Sequence, residues 1–184
     1  MGRGALVGPV VAAAVIMPAG LKKRWRGQVR DSKLLTPLHR EALFGYISEA
    51  AVATGIGSAS NDEIDSIGIA GATRRAMVAA IGRLEPQPEF ILVDFFRIPE
   101  IALPQKGVVD GDTLCFSIAC ASIIAKVTRD RLLVELDRQY PGYGFAGHKG
   151  YGTSEHLECL KRMGPCPLHR RTFRPVSEMA GQRK

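Results

Sequence analysis

A continuous apolar run, Val-Val-Ala-Ala-Ala-Val-Ile at residues 10–16, sets the first limit on how this chain can fold. Gly8-Pro9 precedes the run and Pro18-Ala19-Gly20 follows it, so turn-forming residues bound it on both sides. The run is too short for a membrane span, which needs about 20 apolar residues. It therefore predicts a buried β-strand near the start of the chain.

The first thirty residues contain no acidic side chain, and a basic cluster at residues 22–30 follows the apolar run. With the early Arg3 and the small residues near position 20, this segment also resembles a cleavable signal sequence. However, Gly8-Pro9 interrupts the stretch that a signal sequence would keep helical. We therefore favour a cytoplasmic protein without a membrane segment.

The size and composition favour one folded domain. With 184 residues, of which 46% are hydrophobic, the chain can bury a sizeable core. We expect a monomer with a single domain at residues 1–184, in which residues 140–184 form a C-terminal segment. The formal net charge of +7 favours a polyanionic partner, although many basic proteins bind no nucleic acid.

Helix-like and strand-like segments alternate along the rest of the chain. Pro37 and Asn61 stand where two amphipathic stretches begin, in positions typical of helix starts. The apolar run at residues 90–93 is typical of a strand that is covered on both faces. This alternation indicates an α/β fold. The predicted elements after the first strand are helix 38–53, strand 55–59, helix 61–84, strand 90–93, helix 113–140 and helix 154–163.

Two aspartates occupy positions suited to catalysis. Asp94 directly follows the apolar run 90–93, and open α/β sheets place functional groups at the carboxyl ends of their strands. Asp112 follows a glycine at the start of the predicted long helix. Taken singly, Asp94 could end a strand and Asp112 could be a helix N-cap. Together they could bind Mg²⁺, which prefers carboxylate and phosphate oxygens.

The segment at residues 140–153 interleaves tyrosine, phenylalanine and histidine with glycines and Lys149. Aromatic faces stack on bases and sugars, glycines allow close approach of the backbone, and lysine neutralises phosphate. The segment therefore favours nucleic-acid contact. The alternative is a glycine-rich loop that is pinned by its own aromatic side chains.

Seven short blocks of sequence follow one another along nearly the whole chain. They are Gly2-Arg3-Gly4 with residues 8–15, Asp31-Ser32-Lys33, Leu92-Val93-Asp94, Gly111-Asp112, residues 121–130, residues 140–153 and residues 169–176. In this order and at these spacings, the blocks together resemble bacterial ribonuclease HII. Seven separate blocks leave little room for chance.

The resemblance implies a ribonuclease-H-like α/β fold with a mixed sheet flanked by helices. It implies an endoribonuclease that cleaves the RNA strand of RNA–DNA hybrids, including single ribonucleotides embedded in duplex DNA. The implied cofactor is a divalent metal, Mn²⁺ or Mg²⁺, and the implied products carry 5′-phosphate and 3′-hydroxyl ends. In two-metal hydrolysis, one ion activates the attacking water and the other stabilises the leaving oxygen.

The resemblance also assigns roles to individual residues. It makes Asp94 and Asp112 the third and fourth metal carboxylates. It makes Gly2-Arg3-Gly4 and Tyr151 the sensor of the ribonucleotide, in which backbone groups read the 2′-hydroxyl and the tyrosine stacks at the RNA–DNA junction. Residues 140–184 become a substrate-contacting segment. The residues expected to contact the nucleic acid through phosphates are Ser32, Lys33, Lys149 and Arg170.

The main departure from the family pattern concerns the first and second metal carboxylates. In the family, a strand ending in Asp-Glu and one small residue precedes the Gly-Arg-Gly turn, and Met1 stands in that small residue's position here. We therefore expect the first strand of the sheet to be missing from this chain. We also expect the true gene product to start upstream of Met1. The alternative function is a catalytically impaired or inactive hybrid-binding fragment.

Three smaller departures lie elsewhere in the chain. Phe95 follows the metal aspartate where a small residue is usual, and we expect it to narrow access to the site. Asp110 stands where a lysine is frequent, so it adds negative charge close to a phosphate-binding site. Gly68 replaces a common asparagine in the second helix.

Overall fold

The computed structural model of the chain describes residues 1–181. Their contacts group into two compact units. Unit 1 consists of Met1, residues 11–58 and residues 74–127, and unit 2 consists of residues 2–10, 59–73 and the chain from residue 128 onward. The expectation of a single domain stays a prediction. None of the helices in the described residues is both long and apolar enough to cross a membrane.

The first predicted strand is confirmed as β1, Val10–Ile16, which pairs with β2, Ala53–Ala59, in a two-stranded sheet. Between them lies α1, Pro37–Ala50. Thr36 caps this helix because its Oγ1 accepts the His39 backbone N–H at 3.3 Å, and Pro37 supplies the favoured first helical residue. The helix ends before residue 53 because the backbone there enters β2.

The glycines of β2 allow a helix to pack directly on the strand within unit 1. A Cβ atom on Gly55 would lie 2.0 Å from the Ala80 carbonyl oxygen, and one on Gly57 would lie 2.1 Å from the Ala76 carbonyl oxygen. Real Cβ atoms do not approach backbone oxygens so closely. Only glycine therefore fits at these two positions of the strand.

The second long helix, α2, runs over Asn61–Gly82 and is interrupted at Gly68, whose φ of 73° and ψ of 161° are not helical. Its N-cap is Ser60, not the predicted Asn61. The Ser60 hydroxyl accepts the Glu63 N–H at 3.1 Å, and the Glu63 carboxylate accepts the Ser60 N–H at 2.7 Å. This reciprocal pair is a capping box. The Asn61 side chain instead donates to the Pro167 carbonyl at 3.0 Å.

The strands β3, Ile91–Asp94, and β4, Gln105–Val108, pair in parallel, with Asp94 opposite Val108. Burial alternates along β3, since Val93 is buried and Leu92 is 41% exposed. The prediction of a strand covered on both faces is therefore wrong. Only one face of β3 packs onto the apolar cluster that contains Ile81 and Ile98.

The predicted helix at 113–140 is two helices. α3 covers Gly111–Leu114 and α4 covers Phe116–Gln139. They are separated at Cys115, which has an extended backbone with φ −126° and ψ 117°. The break gives Asp112 a position in its own short helix, independent of α4.

Unit 2 has its own apolar core. The chain passes through α5, Phe145–His148, then α6, Ser154–Met163, and finally α7, Val176–Gly181. The predicted helix at 154–163 is confirmed, with Thr153 as its N-cap. The buried residues of this core are Leu6, Val7, Leu133, Tyr143, Phe145, Leu160 and Val176.

Candidate active site and nucleic-acid-binding residues

The two predicted catalytic aspartates lie at the carboxyl end of β3 and in α3, within unit 1. The Gly111 backbone N–H donates to Asp94 Oδ1 at 3.1 Å, which ties the strand end to the start of α3. A Cβ on Gly111 would lie 2.7 Å from Ile118 Cδ1 and 3.3 Å from the same Asp94 oxygen. The glycine before Asp112 therefore lets α3 approach Asp94 closely.

The pKa of Asp112 is shifted by its surroundings. Burial raises the pKa of Asp112, and the negative charges of Asp31 and Asp94 raise that pKa further. The charges of two neighbouring carboxylates therefore act on Asp112 in unit 1. Sequence reasoning missed Asp31, whose Oδ1 also accepts the Lys33 backbone N–H at 3.0 Å and caps a 3-10 helix at Ser32–Leu34. Asp31 directly precedes Ser32-Lys33 in one of the seven blocks, and this position could have marked it as a candidate site residue.

Lys33 supplies the positive charge beside these acids. Its Nζ lies 3.8 Å from Asp112 Oδ2 and 4.0 Å from Asp31 Oδ1, and its side chain is 67% exposed. This ammonium group acts to lower the Asp112 pKa, against the larger opposing effects of burial and the two acids. Lys33 therefore pairs with the acids while it still faces solvent.

The chemistry of this acid group suits a hard divalent cation, because carboxylate oxygens are the protein ligands that Mg²⁺ and Mn²⁺ prefer. The mutual repulsion that raises the Asp112 pKa would be relieved by a bound cation. Within residues 1–181, no set of three His, Cys, Asp or Glu side chains is arranged to hold a metal ion. The ligand type therefore fits the expected cofactor, and Asp94 with Asp112 are the side chains that would hold it.

Ser32 does not present its hydroxyl at the surface. The residue is 0% exposed, and its Oγ finds no hydrogen-bond partner in the described part of the chain. The phosphate contact expected of Ser32 stays a prediction. The Ser32 carbonyl accepts a hydrogen bond from Arg40 Nη1 at 2.9 Å, which ties the 3-10 helix to α1.

In unit 2, the Gly2-Arg3-Gly4 turn rests on the guanidinium of Arg170. Arg170 is 0% exposed and donates to the carbonyls of Gly2 at 2.8 Å, Arg3 at 3.0 Å and Gly8 at 2.9 and 3.0 Å. Burial, together with the nearby positive charge of Arg129, lowers the Arg170 pKa to about 10. The phosphate contact expected of Arg170 stays a prediction. The donors of Arg170 are used inside the protein, where they shape the turn.

A second buried arginine, Arg129, had no role assigned from the sequence. It donates to the carbonyls of Val7 at 3.0 Å, Pro9 at 3.1 Å and Lys149 at 2.9 Å. Its guanidinium also lies 5.7 Å from the centroid of the Tyr151 ring. Arg129 thus connects the N-terminal segment with the loop that carries Lys149 and Tyr151, both predicted to contact the nucleic acid.

The same arginine explains the first glycine of the turn. Gly2 has a φ of 83°, and a Cβ there would lie 2.1 Å from Arg129 Nε. Arg3 and Gly4, by contrast, are exposed. The turn therefore combines one buried glycine with two residues whose atoms reach solvent.

Tyr151 is 39% exposed, and its backbone is fixed on both sides. Its N–H donates to the His148 carbonyl at 3.0 Å, and its carbonyl lies 2.9 Å from His156 Nδ1. Lys149 is half-buried with a φ of 52°, and its Nζ donates to the Ala146 carbonyl. The phosphate contact expected of Lys149 stays a prediction.

Comparison with known proteins identifies the family. The family model described as Ribonuclease HII matches residues 1–176. A ribonuclease HII from Dehalococcoides mccartyi is 58% identical over 178 residues, which cover 97% of this chain and 84% of that protein. A ribonuclease HII from Geobacter metallireducens is 52% identical over 177 residues, which cover 96% of this chain and 82% of that protein.

Solved structures agree with the sequence matches. The crystal structure of ribonuclease H2 from Pyrococcus horikoshii superposes with a TM-score of 0.82 at 27% identity, covering 99% of this chain and 94% of that one. The ribonuclease HII of a PCNA complex from Archaeoglobus fulgidus gives a TM-score of 0.76 at 25% identity, covering 97% and 93%. The expected fold, enzyme class and divalent-metal dependence are thereby confirmed. The chain belongs to the ribonuclease HII family of metal-dependent ribonucleases, and it has the mixed α/β fold of ribonuclease H.

Proposed function

We propose that this chain is an endoribonuclease that cleaves the RNA strand of RNA–DNA hybrids, including single ribonucleotides embedded in duplex DNA. The observation that carries the proposal is the acid group of unit 1. There, Asp94 at the end of β3 is tied to α3, and Asp112 experiences the charges of Asp94 and Asp31. An exposed lysine, Lys33, lies 3.8 Å from Asp112 Oδ2.

Asp94 and Asp112 would hold the divalent metal. When bound, Mg²⁺ or Mn²⁺ supplies positive charge that activates water and stabilises the leaving oxygen, which yields 5′-phosphate and 3′-hydroxyl ends in two-metal hydrolysis. The chain itself keeps the carboxylates in place through the Gly111 N–H and through the register of β3 with β4. Lys33 neutralises a substrate phosphate with its solvent-facing ammonium group.

Recognition of the ribonucleotide is assigned to unit 2. Backbone groups of Gly2-Arg3-Gly4 read the 2′-hydroxyl, the one group that distinguishes RNA from DNA. Tyr151 stacks on the nucleic acid with the exposed part of its ring. This assignment is supported by the two buried arginines, because Arg170 fixes the carbonyls of the turn and Arg129 contacts both the turn's segment and the Tyr151 ring.

A second candidate function is hybrid binding with impaired cleavage. It is favoured by one observation, namely that no metal-holding group of three side chains exists within residues 1–181. Under this alternative, unit 2 would still bind the hybrid, and the acids of unit 1 would bind metal too weakly for turnover. We assign both candidates to a monomeric cytoplasmic protein.

The deciding experiment uses a labelled duplex that carries one ribonucleotide, incubated with the full chain and Mn²⁺ or Mg²⁺. The proposal predicts a single cut at the ribonucleotide, with 5′-phosphate and 3′-hydroxyl ends established by end-specific labelling. A matched all-DNA duplex should remain intact. Binding of the ribonucleotide duplex without any cut, at every metal concentration tested, would reject the first candidate in favour of the second.

A further inference from the structure

The basic segment that follows β1 lines a groove in unit 1. The groove has a volume of about 690 Å³. The segment after β1 contributes Leu21, Gly27, Val29 and four cations, Lys22, Lys23, Arg24 and Arg26, to its lining. The rest of the lining consists of residues 113–116 and Ala119, from the end of α3 to the start of α4.

The cations of this groove lack internal counter-charges. Lys22, Lys23 and Arg24 are exposed, and their side chains form no hydrogen bond or ion pair with any residue of the described chain. No acidic residue occurs before Asp31, so the sequence supplies none locally. Neighbouring like charges repel one another, and an external anion would relieve that repulsion.

The basic segment is held in one geometry. Trp25 stacks on Tyr46, with ring centroids 6.1 Å apart, and packs against Phe116 at 6.2 Å. The guanidinium of Arg26 lies 5.1 Å from the centroid of the same Phe116 ring. These contacts anchor the 3-10 helix Arg24–Gln28 to the apolar core of unit 1. The cations are therefore presented from a fixed backbone, which lowers the entropic cost of binding an anion.

One lining residue of the groove is a direct neighbour in sequence of a proposed catalytic acid. Thr113, which lines it, is covalently adjacent to Asp112 in α3. A nucleic acid is a suitable occupant because its backbone carries regularly spaced negative charges, about one per 1.7 Å of duplex axis. An acidic protein segment would match the charge, but nothing in that class of partner explains the position next to Asp112.

We propose that this basic groove binds the phosphodiester backbone of the nucleic acid that flanks the cleaved nucleotide. The inference rests on the proposed function and extends it, since it adds a binding surface to the acids and to Lys33. Because the cations contact phosphates and no base edges, the groove contributes affinity that is independent of sequence and sensitive to salt.

The test compares two double variants that remove the same number of positive charges. Lys22→Gln with Arg24→Gln removes unpaired cations of the groove, whereas Arg74→Gln with Arg138→Gln removes cations that are paired with Glu100 and Glu135. Affinity for a long fluorescent duplex is measured by anisotropy, without divalent metal, at several salt concentrations. We expect the groove variant to lower the slope of log affinity against log salt by about 2, since each phosphate contact contributes about 0.9.

The control variant should keep the wild-type slope, and both variants should keep the wild-type thermal unfolding temperature. An unchanged slope for Lys22→Gln with Arg24→Gln would overturn the inference. The inference would also be overturned if the same substitutions weakened binding of polyglutamate but not of the duplex, because that result would assign the groove to an acidic protein. Failure of the proposed function is a separate outcome, since it appears as absence of cleavage by the wild-type chain and leaves these binding slopes measurable.

Discussion

His156 Nε2 lies 3.2 Å from His169 Nε2, and the two buried imidazoles form a directed hydrogen-bonded pair in unit 2. The Cys166 N–H donates to His169 Nδ1 at 2.9 Å, so the proton of His169 lies on Nε2. That N–H donates to His156 Nε2, and His156 Nδ1–H in turn donates to the Tyr151 carbonyl at 2.9 Å. Both rings are therefore neutral, and the pair ends on the backbone of the proposed stacking tyrosine.

The histidine pair predicts a loss of stability in mild acid. Burial lowers the pKa of His156 and of His169 to about 4, from an ordinary value of 6.5. The groups that face them are His148, stacked on His156, together with Cys166 and Tyr143 beside His169. Between pH 6.5 and about 4 the unfolded chain binds more protons than the folded chain, so the free energy of unfolding falls as pH falls.

Chemical denaturation over this pH range measures the effect. His169→Gln should flatten the pH dependence, because one of the two buried groups is removed. The control is His39→Gln, which removes a histidine that lies outside unit 2 and bonds Gln28. Equal pH dependence in the wild type and in His169→Gln would show that the pair does not stay neutral in the folded state.

A second prediction concerns the support that His156 gives to Tyr151. In His156→Asn the side-chain amide can still donate to the Tyr151 carbonyl, whereas His156→Leu removes the donor. We expect the leucine variant to lose preference for a ribonucleotide duplex over an all-DNA duplex, and the asparagine variant to recover part of it. If both variants lost this preference equally, and in proportion to their loss of folding stability, His156 would contribute only through packing.

The buried Arg170 predicts a large stability effect. In Arg170→Lys a single ammonium cannot reach the carbonyls of Gly2, Arg3 and Gly8 together. Each acceptor left unsatisfied costs about 1–3 kcal/mol, so urea denaturation should show a loss of several kcal/mol. Arg171→Lys, at an exposed neighbour, is the control. Weaker duplex binding by Arg170→Lys at an unchanged free energy of unfolding would instead support a direct contact between Arg170 and phosphate.

The close packing of β2 on α2 predicts opposite outcomes for two glycine substitutions in unit 1. Gly55→Ala places a Cβ 2.0 Å from the Ala80 carbonyl oxygen, and such overpacking costs about 1–3 kcal/mol or more. Gly45→Ala, inside α1 with open space around it, should stabilise the helix by up to about 1 kcal/mol. Thermal unfolding of both variants checks this, and similar unfolding temperatures would contradict the packing argument.

Local sequence signals predicted the parts of this molecule that depend on local physics. The apolar run bounded by turns predicted β1, Pro37 marked the start of α1, and the apolar run at residues 90–93 predicted β3. The family blocks then supplied the expected roles. None of these inferences required knowledge of which distant residues come together.

What the sequence did not reveal depends on long-range contacts. Arg170 appeared to be a surface cation in a basic tail, and its burial results from carbonyls that lie more than 160 positions earlier in the chain. The burial of Ser32 and the effect of the Asp31 charge on the Asp112 pKa likewise depend on how the chain folds around these residues. The apolar pattern of the predicted helix at 113–140 likewise gave no indication of the break at Cys115.

The most direct test of the account compares Asp112→Asn with Asp110→Asn in cleavage of the single-ribonucleotide duplex with Mn²⁺. Asparagine at 110 tolerates the left-handed backbone there, whose φ is 52°, and keeps the metal carboxylates intact. We predict that Asp112→Asn abolishes cleavage while duplex binding persists, and that Asp110→Asn cuts at the wild-type rate. Wild-type cleavage by Asp112→Asn would contradict the assignment of the acid group as the catalytic centre.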